Sequence, residues 1–314
     1  MKGRIIKVLG GLYTIKDIDT KEYITAKGSG KLRYMRLDKD SSFNKQTTFK
    51  NKQDVKIVKL SPKVGDIVTY EKREDQFVIT EVSPRINDLT RPLAANVDQV
   101  VLIFSAKEPQ FDQYLLDQFI ALQEIANVNL KIIVTKIDLM SSDELKDLTK
   151  TLDYYKSIGY DYYLISNKTG EGLKEIVELF DNKISILSGQ TGAGKSNSIN
   201  NLIPGFTLKT AEISKALGRG KHTTRVSELY EFRNGLIGDT PGFSKLDFAI
   251  LDYKDLKYYF KEFDLTGCRY QDCYHINEPG CKIKEKVDSG LINAKRYNDY
   301  VKFFNELKEM KRKY

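Results

Sequence analysis

The chain has 314 residues, about twice the length of a typical domain, so two or three domains are expected. Its hydrophobic fraction of 40% and charged fraction of 30% exclude a disordered or fibrous protein. No run of 18 apolar residues occurs, and the start MKGRIIKVLGGLYTIKD has neither the apolar core nor the cleavage site of a signal peptide. A membrane span and secretion are therefore not expected, and a cytoplasmic protein is.

The net charge is +8, and it is unevenly spread. Residues 1–85 carry +8, residues 86–250 carry −3 and residues 251–314 carry +3. A bias in nucleotide composition would act evenly along the chain. Basic ends around a slightly acidic middle point instead to a polyanionic partner, with nucleic acid the first candidate. Only three cysteines occur, all between residues 268 and 281, which argues against a disulfide framework.

In chain order, short alternating stretches come first. Ile5 to Val8, Leu12 to Ile15, Val55 to Val58, Val64 to Tyr70 and Gln76 to Val82 read as strands. Gly10-Gly11 and Gly65-Asp66 mark turns, and the set suggests a small β-barrel. The texture changes near Ser83-Pro84-Arg85. VDQVVLIF then reads as a buried strand and FDQYLLDQFIALQEIAN as a helix. LKIIVT, DYYLIS, KISILSG and GLIGD are further apolar runs, mostly separated by helical segments, which predicts a parallel sheet covered on both faces. Beyond residue 250 the strand signal disappears. A cysteine-bearing loop leads to a closing helix from about Asn293, with Tyr297, Tyr300, Val301, Phe304 and Leu307 as its apolar stripe.

GQTGAGKS, residues 189–196, follows the strand KISILS and opens the helix SNSINNL, as a phosphate-binding loop requires. Gly189, Gly192 and Gly194 let the backbone aim its N–H groups at a phosphate chain. Gln190, Thr191, Ala193 and Asn197 complete the cradle. Lys195 would meet the β and γ phosphates and Ser196 would ligate Mg²⁺. DTPG, residues 239–242, ends the strand GLIGD: Asp239 could hold the Mg²⁺ shell and Gly242 could offer an N–H to the γ-phosphate.

TKID, residues 135–138, follows LKIIV and is close to Asn-Lys-x-Asp, whose Asp accepts from guanine N1–H and N2–H₂. Adenine has no such donors and would leave the carboxylate unpaired. Thr135, Lys136 and Asp138 are thus candidate base contacts. SNKTGEGL follows YYLI, and Ser166 and Asn167 there fit a loop whose backbone N–H meets guanine O6. CRYQDCYHINEPGC supplies Cys268, Cys273, His275 and Cys281, three thiols and an imidazole within 14 residues, which fits a closed, structural zinc site.

The order of these motifs is TKID, SNKTGEGL, GQTGAGKS, HTT, DTPG, with the base readers ahead of the phosphate loop. An ordinary GTPase has the reverse, so the order implies a circular permutation. The chain thereby resembles the RsgA (YjeQ/YloQ) family of circularly permuted GTPases that depend on the small ribosomal subunit. The likeness also includes RPLAANVDQV (residues 91–100), GRGKHTTR (residues 218–225) and the cysteine cluster. It implies an N-terminal OB-fold RNA-binding domain over 1–85, a permuted α/β P-loop GTPase domain over 86–250 and a C-terminal helical zinc domain over 251–314. It further implies GTP hydrolysis stimulated by the small subunit, contact with its rRNA, a role in late maturation of that subunit, and a monomer.

Three positions depart from the family pattern: Thr135 stands for Asn, Thr191 for Ser, and Ser166-Asn167 for Ser-Ala. Thr135 keeps a hydroxyl and loses an amide, so weaker nucleotide affinity is expected, with Asp138 preserving the choice of guanine. Thr224, or else Thr223, would complete the Mg²⁺ shell from the basic loop before DTPG. Phe243 occupies the place where small GTPases carry a water-orienting Gln, so hydrolysis should be slow unaided, and His222 is the candidate to supply that function. Tyr13, Tyr23, Tyr34 and Phe43 are available to an RNA-binding barrel, and the basic end MKRKY to an RNA contact. An alternative is an RNA-binding assembly module whose pocket senses guanine nucleotide with negligible hydrolysis.

Overall fold

Alternation of apolar and polar residues in the first 85 positions builds strands, and the longer helical periods after residue 110 build helices. In the computed structural model the described residues are 1–33, 35–37, 56–58, 61–89, 93–202, 228–239, 248 and 251–312. The strands are β1 (Lys2–Leu9), β2 (Leu12–Asp17), β3 (Tyr23–Gly28), β4 (Met35–Leu37), β5 (Lys56–Val58), β6 (Ile67–Arg73), β7 (Gln76–Val82), β8 (Asp88–Leu89), β9 (Ala94–Ala95) and β10 (Gln99–Ser105). Then come α1 (Gln113–Glu124), β11 (Asn129–Thr135), α2 (Ser142–Ser157), β12 (Asp161–Leu164), α3 (Leu173–Val177), β13 (Ile184–Gly189) and α4 (Lys195–Leu202). β14 (Leu229–Phe232), β15 (Gly235–Asp239), α5 (Lys282–Asp288) and α6 (Ala294–Arg312) complete the set. They fall into two compact units, one of residues 1–100, 176–188 and 202–241, the other of 101–175, 189–201 and 242–314.

The first unit contains a closed barrel in the order β1-β2-β3-β7-β6. Ile5, Ile15, Ala26, Val68, Tyr70, Ile79 and Val82 fill it, all buried. Burying each large aliphatic side chain contributes about 1.5–3 kcal/mol. The parallel pairing of β3 with β7, Ala26 opposite Phe77, closes the barrel. β3 was not among the strands expected from sequence, because its side chains are mostly exposed and only Ala26 is fully inside. β5, which was expected, pairs with β4 in a separate two-stranded sheet. A bulge between Ile5 and Lys7 lets both Ile5 and Ile6 bury their side chains. Inside the barrel, Tyr70 donates to Asp17, which holds that carboxyl down at about 2. Beyond the barrel, Arg85 makes a two-point contact with Asp66, at 2.7 Å to each oxygen, and reaches Asp88 at 2.8 Å.

The same unit contains β13 parallel to β15 and β14 antiparallel to β15. The antiparallel β14 departs from the all-parallel expectation. Its cause is the two-residue turn at Arg233-Asn234, both with positive φ, just before Gly235, a favoured hairpin turn. Lys16 and Tyr23 of the barrel both contact the Glu231 carboxylate on β14, and Lys7 reaches Glu228 at 2.8 Å.

In the second unit β10, β11 and β12 lie side by side, with β11 and β12 parallel. Asp112 caps α1 by accepting from the Leu115 N–H at 3.0 Å. Ser141 and Glu144 form a reciprocal capping box on α2. After residue 250 the described residues form short turns, α5 and α6, with no strand. A core of Leu251, Leu256, Phe260, Phe263, Ile283, Tyr300, Phe303, Phe304 and Leu307 takes in Ala121 and Leu122 from α1.

Through this interface runs a buried charge cluster. Arg296 on α6 is fully buried, binds Glu262 and Asp117, and lies with its guanidinium carbon 4.6 Å from the Phe260 ring centre and 5.2 Å from that of Tyr155. Tyr155 donates to the same Asp117 oxygen at 2.5 Å. Removing one member of a buried pair leaves a charge without compensation. Arg296→Met is expected to cost about 3–5 kcal/mol in urea unfolding, and adding Asp117→Asn and Glu262→Gln to it should recover part of that loss.

Candidate functional site

The phosphate-loop residues, which follow β13 in the chain, belong from Gly189 onward to the second unit. Gly189 has φ +130°, and a Cβ there would sit 2.2 Å from the Ile103 carbonyl oxygen, so the strand can turn only through glycine. The Gln190 N–H donates to that same carbonyl at 3.0 Å. The Gln190 side chain receives the Ser105 N–H at 3.2 Å and donates to the Gln110 carbonyl at 3.1 Å. Gly192 and Gly194 both take positive φ, 79° and 82°. Lys195, buried, donates to the carbonyls of Gly189 at 3.2 Å and Gln190 at 2.9 Å, which holds its ammonium inside the arc of the loop. Thr191 and Asn197 are exposed on it.

The base-reading segments meet this loop from the other side. The Thr135 hydroxyl, fully buried, donates to the Ala193 carbonyl at 2.6 Å. Lys136 has φ +60° and donates to the Gly192 carbonyl at 3.1 Å and to that of Glu108. The left-handed backbone at Lys136 directs the side chain along the phosphate loop while β11 ends and Asp138 follows. Asp138 Oδ1 accepts from Ser166 Oγ at 2.5 Å. Ser166 Oγ also receives the N–H groups of Lys168 at 3.2 Å and Thr169 at 3.1 Å, which fixes its rotamer and so orients the carboxylate. Gly172, φ +72°, closes the loop where a Cβ would meet the Leu164 carbonyl at 2.1 Å.

Asn167 departs from the expectation of a backbone contribution alone. Its amide donates to Ser198 Oγ on α4 at 2.9 Å, while Asn201 donates to its carbonyl oxygen at 3.2 Å. A cavity of 530 Å³ opens here, lined by Lys136, Asp138, Asn167, Lys168, Gly194 and Asn197 among others. Asn200 and Asn201 also line it and were not identified from sequence. The available signal was spacing, since Asn197 and Asn201 are four residues apart on the helix that the phosphate loop opens.

Asp239 ends β15 directly across from Leu187 on β13, two residues before Gly189 in the chain. Its side chain and that of Ser196 lie outside the described residues, as do His222, Thr223, Thr224, Gly242, Phe243, Tyr34 and Phe43. Tyr13 packs against the barrel core, and Tyr23, exposed, is tied to Glu231 through its hydroxyl. At the basic end, Lys311 pairs with Asp252.

Cys268, Cys273, His275 and Cys281 converge, their ligand atoms all within 4.8 Å of one another. A tetrahedron with metal–sulfur bonds of about 2.3 Å has edges of about 3.7 Å. His275 Nδ1 lies 3.7 Å from Cys268 Sγ and 3.4 Å from Cys281 Sγ. Burial pushes the Cys273 thiol up to about 12 and brings His275 down to about 4, the neutral imidazole that ligates metals. A thiol so buried ionises only with a cation against it, so the group fits a bound metal. His275 reaches the cluster through a left-handed backbone at φ 61°. Tyr297 donates to the His275 carbonyl at 2.7 Å and Tyr300 to that of Tyr274 at 2.6 Å. Glu278 accepts the N–H groups of Tyr274, Ile276 and Asn277 at 2.8, 2.9 and 3.0 Å.

The Thr135 hydroxyl is the one side-chain bond between the end of β11 and the Ala193 carbonyl. Thr135→Val keeps the volume and removes the donor. It should cost about 1–3 kcal/mol of stability in thermal or urea unfolding, the range for a buried acceptor left unpaired. Thr135→Ser should cost less than half as much.

A family model described as RsgA GTPase matches residues 75–249. The small ribosomal subunit biogenesis GTPase RsgA of Phytoplasma mali is 41% identical, over 99% of this chain and 97% of its own. The crystal structure of YjeQ from Thermotoga maritima superposes with a TM-score of 0.78 at 33% identity, covering 98% of each chain. That of YloQ, described as a circularly permuted GTPase, gives 0.74 at 32% identity over 98% of this chain and 95% of its own. With a barrel at one end, permuted nucleotide motifs in the middle and a Cys₃His cluster at the other, this chain belongs to the RsgA GTPase family.

Proposed function

We propose that this chain hydrolyses GTP while bound to the small ribosomal subunit, and that it serves a late step in maturation of that subunit. The observation that carries the nucleotide half is that Thr135 and Lys136 are bonded to the loop of residues 189–195, and that Lys136, Asp138, Asn167 and Gly194 line one cavity. The ribosomal half rests on the relatives named for small-subunit biogenesis, matched over nearly their full length.

In this reading Asp138 selects guanine. Ser166 holds one carboxylate oxygen, and the other is directed to the base N–H donors. Loop N–H groups between Gly189 and Ser196 bind the phosphates, and Lys195 leaves its two carbonyls to meet them. Magnesium bound with GTP, held by Ser196, Asp239 and Thr224 or Thr223, would neutralise charge on the phosphates. His222 positions the attacking water in place of the absent Gln when the small subunit is bound. The metal at Cys268, Cys273, His275 and Cys281 is zinc: soft thiolates select it, and four protein ligands leave no open position for catalysis.

Further parts of the reading are a barrel domain of residues 1–85 and the last helix contacting rRNA, a GTPase domain of 86–250, a zinc domain of 251–314, a monomeric state and a cytoplasmic location. No helix among the described residues is long and apolar enough to cross a membrane.

Turnover of GTP should rise strongly with small subunits and stay flat with large subunits or with ATP. Asp138→Ala should weaken guanine-nucleotide binding at least about a hundredfold, a loss typical where a site is built around polar donors. His222→Ala should abolish the stimulated rate and spare nucleotide binding. A flat response to small subunits with nucleotide still bound would favour the sensing module instead. Elemental analysis should find one zinc per chain. Chelation should open residues 264–290 to proteolysis and leave guanine-nucleotide affinity in place, as expected of a structural metal.

A further inference from the structure

Among the described residues, three aromatic side chains are largely exposed: Tyr23, Tyr258 and Tyr270. Tyr23 is committed to Glu231. The other two lie 12 positions apart in a segment whose remaining aromatic rings are packed. Phe260, Phe263, Tyr300 and Phe304 stack edge to face around the C-terminal core, and Tyr253 and Tyr274 pack against it. Tyr258 and Tyr270 are outside this core.

Both rings are held from behind. Lys257 is buried, and its ammonium donates to the Cys273 carbonyl at 3.1 Å and lies 5.3 Å from the Tyr258 ring centre. The Cys273 N–H donates in turn to the Tyr270 carbonyl at 3.3 Å. Arg269 stands 5.6 Å from the Tyr270 ring centre, and its N–H is fixed on the Gly280 carbonyl at 3.3 Å. Lys257 thus stands beside the Tyr258 ring and bonds the metal-loop backbone at Cys273, whose N–H in turn bonds Tyr270. The exposed residues beside Tyr270 are polar, Arg269, Gln271 and Asp272, so this surface lacks the apolar rim of a protein-docking groove. Flat exposed rings, with the exposed Arg269 guanidinium beside one of them, match nucleobase faces and a phosphate.

We propose that Tyr258 and Tyr270 form a stacking platform for unpaired RNA bases, supported by the metal loop. This deepens the ribosomal reading by naming the RNA element that the C-terminal domain takes: a single-stranded or looped-out segment. Duplex RNA offers no exposed base faces and would not engage it.

The test uses the full-length, metal-loaded protein and a fluorescent decamer of uridine. It compares Y258A/Y270A, Y258L/Y270L and Y258F/Y270F, with zinc content and melting temperature checked for each. A 4-thiouridine decamer, photocrosslinked and mapped by mass spectrometry, reports where the base sits. The expected result is an adduct on Tyr258 or Tyr270, and at least about tenfold weaker binding for the Ala and Leu pairs, the loss expected for stacked bases. The Phe pair should bind as the unaltered protein does. Normal binding by the Ala pair with adducts elsewhere would overturn the proposal, as would a Leu pair as tight as the Phe pair. Small-subunit stimulation of GTP turnover is measured alongside on the unaltered protein. Its absence counts against the ribosomal function alone, and the decamer results judge the platform separately.

Discussion

The nucleotide site depends on bonds between segments far apart in sequence, chiefly the Thr135 hydroxyl and the Lys136 ammonium on the carbonyls of Ala193 and Gly192. Permutation moves the base readers ahead of the phosphate loop, so local chain continuity cannot position one against the other. Side chain to backbone bonds do it instead. They act at the carbonyls of the loop and not at its N–H groups. A hydroxyl suffices for the Ala193 contact, which gives Thr135 a structural role where the family commonly has Asn. The loss of the amide is then a loss of one group at the pocket, not of the clamp.

Arg296 does comparable work at the other end of the second unit. A fully buried guanidinium is tolerable only with carboxylates close by, and here one comes from α1 and one from the loop before the metal cluster. Buried pairs of this kind contribute less to net stability than well-packed apolar groups would. What they impose is register, because Arg296 must meet Asp117 and Glu262 at once while Tyr155 donates to the same Asp117 oxygen. The C-terminal helix is consequently tied to α1, whose N-terminal end follows directly on Gln110, the acceptor for the Gln190 side chain. The metal cluster, α6, α1 and the phosphate loop form a chain of specific polar contacts inside one unit.

Much of this was legible in the sequence because phosphate, base and metal chemistry each demand particular residue types at fixed spacing. The glycines at 189, 192 and 194 have the backbone angles that the pattern requires. The Cys₃His spacing converged as read. What periodicity did not show was β3, where one inward side chain gives no alternation, and β14, where the turn signal Asn234-Gly235 was present but the strand before it is short. Nor could spacing reveal Arg296. A lone basic residue on an apolar helix face reads as solvated until its acidic partners, 34 and 179 positions away, are known.

The Cys₃His cluster lies against the C-terminal core, in which Cys273 and Cys281 are themselves buried, and its backbone is tied down by side chains. His275 takes a left-handed conformation, Glu278 gathers three N–H groups, and the carbonyls of Cys273, Tyr274 and His275 are each bound by a side chain from Lys257, Tyr300 or Tyr297. All of these bonds except that of Asn277 are at least partly buried. Tyr270 is exposed on this loop while its carbonyl is bound by the Cys273 N–H, so its backbone is held without its ring being buried. Exposed tyrosine is unfavourable on a mobile loop, where its apolar face has no lasting partner and its rotamers are free. On a backbone fixed by a metal the rotamer entropy lost on binding is small, and a rigid ring loses less on meeting a second flat surface than a flexible chain would. A metal held at this point in the chain would therefore have a second physical consequence besides folding: it would help to fix the backbone that carries Tyr270 and that Lys257 bonds beside Tyr258.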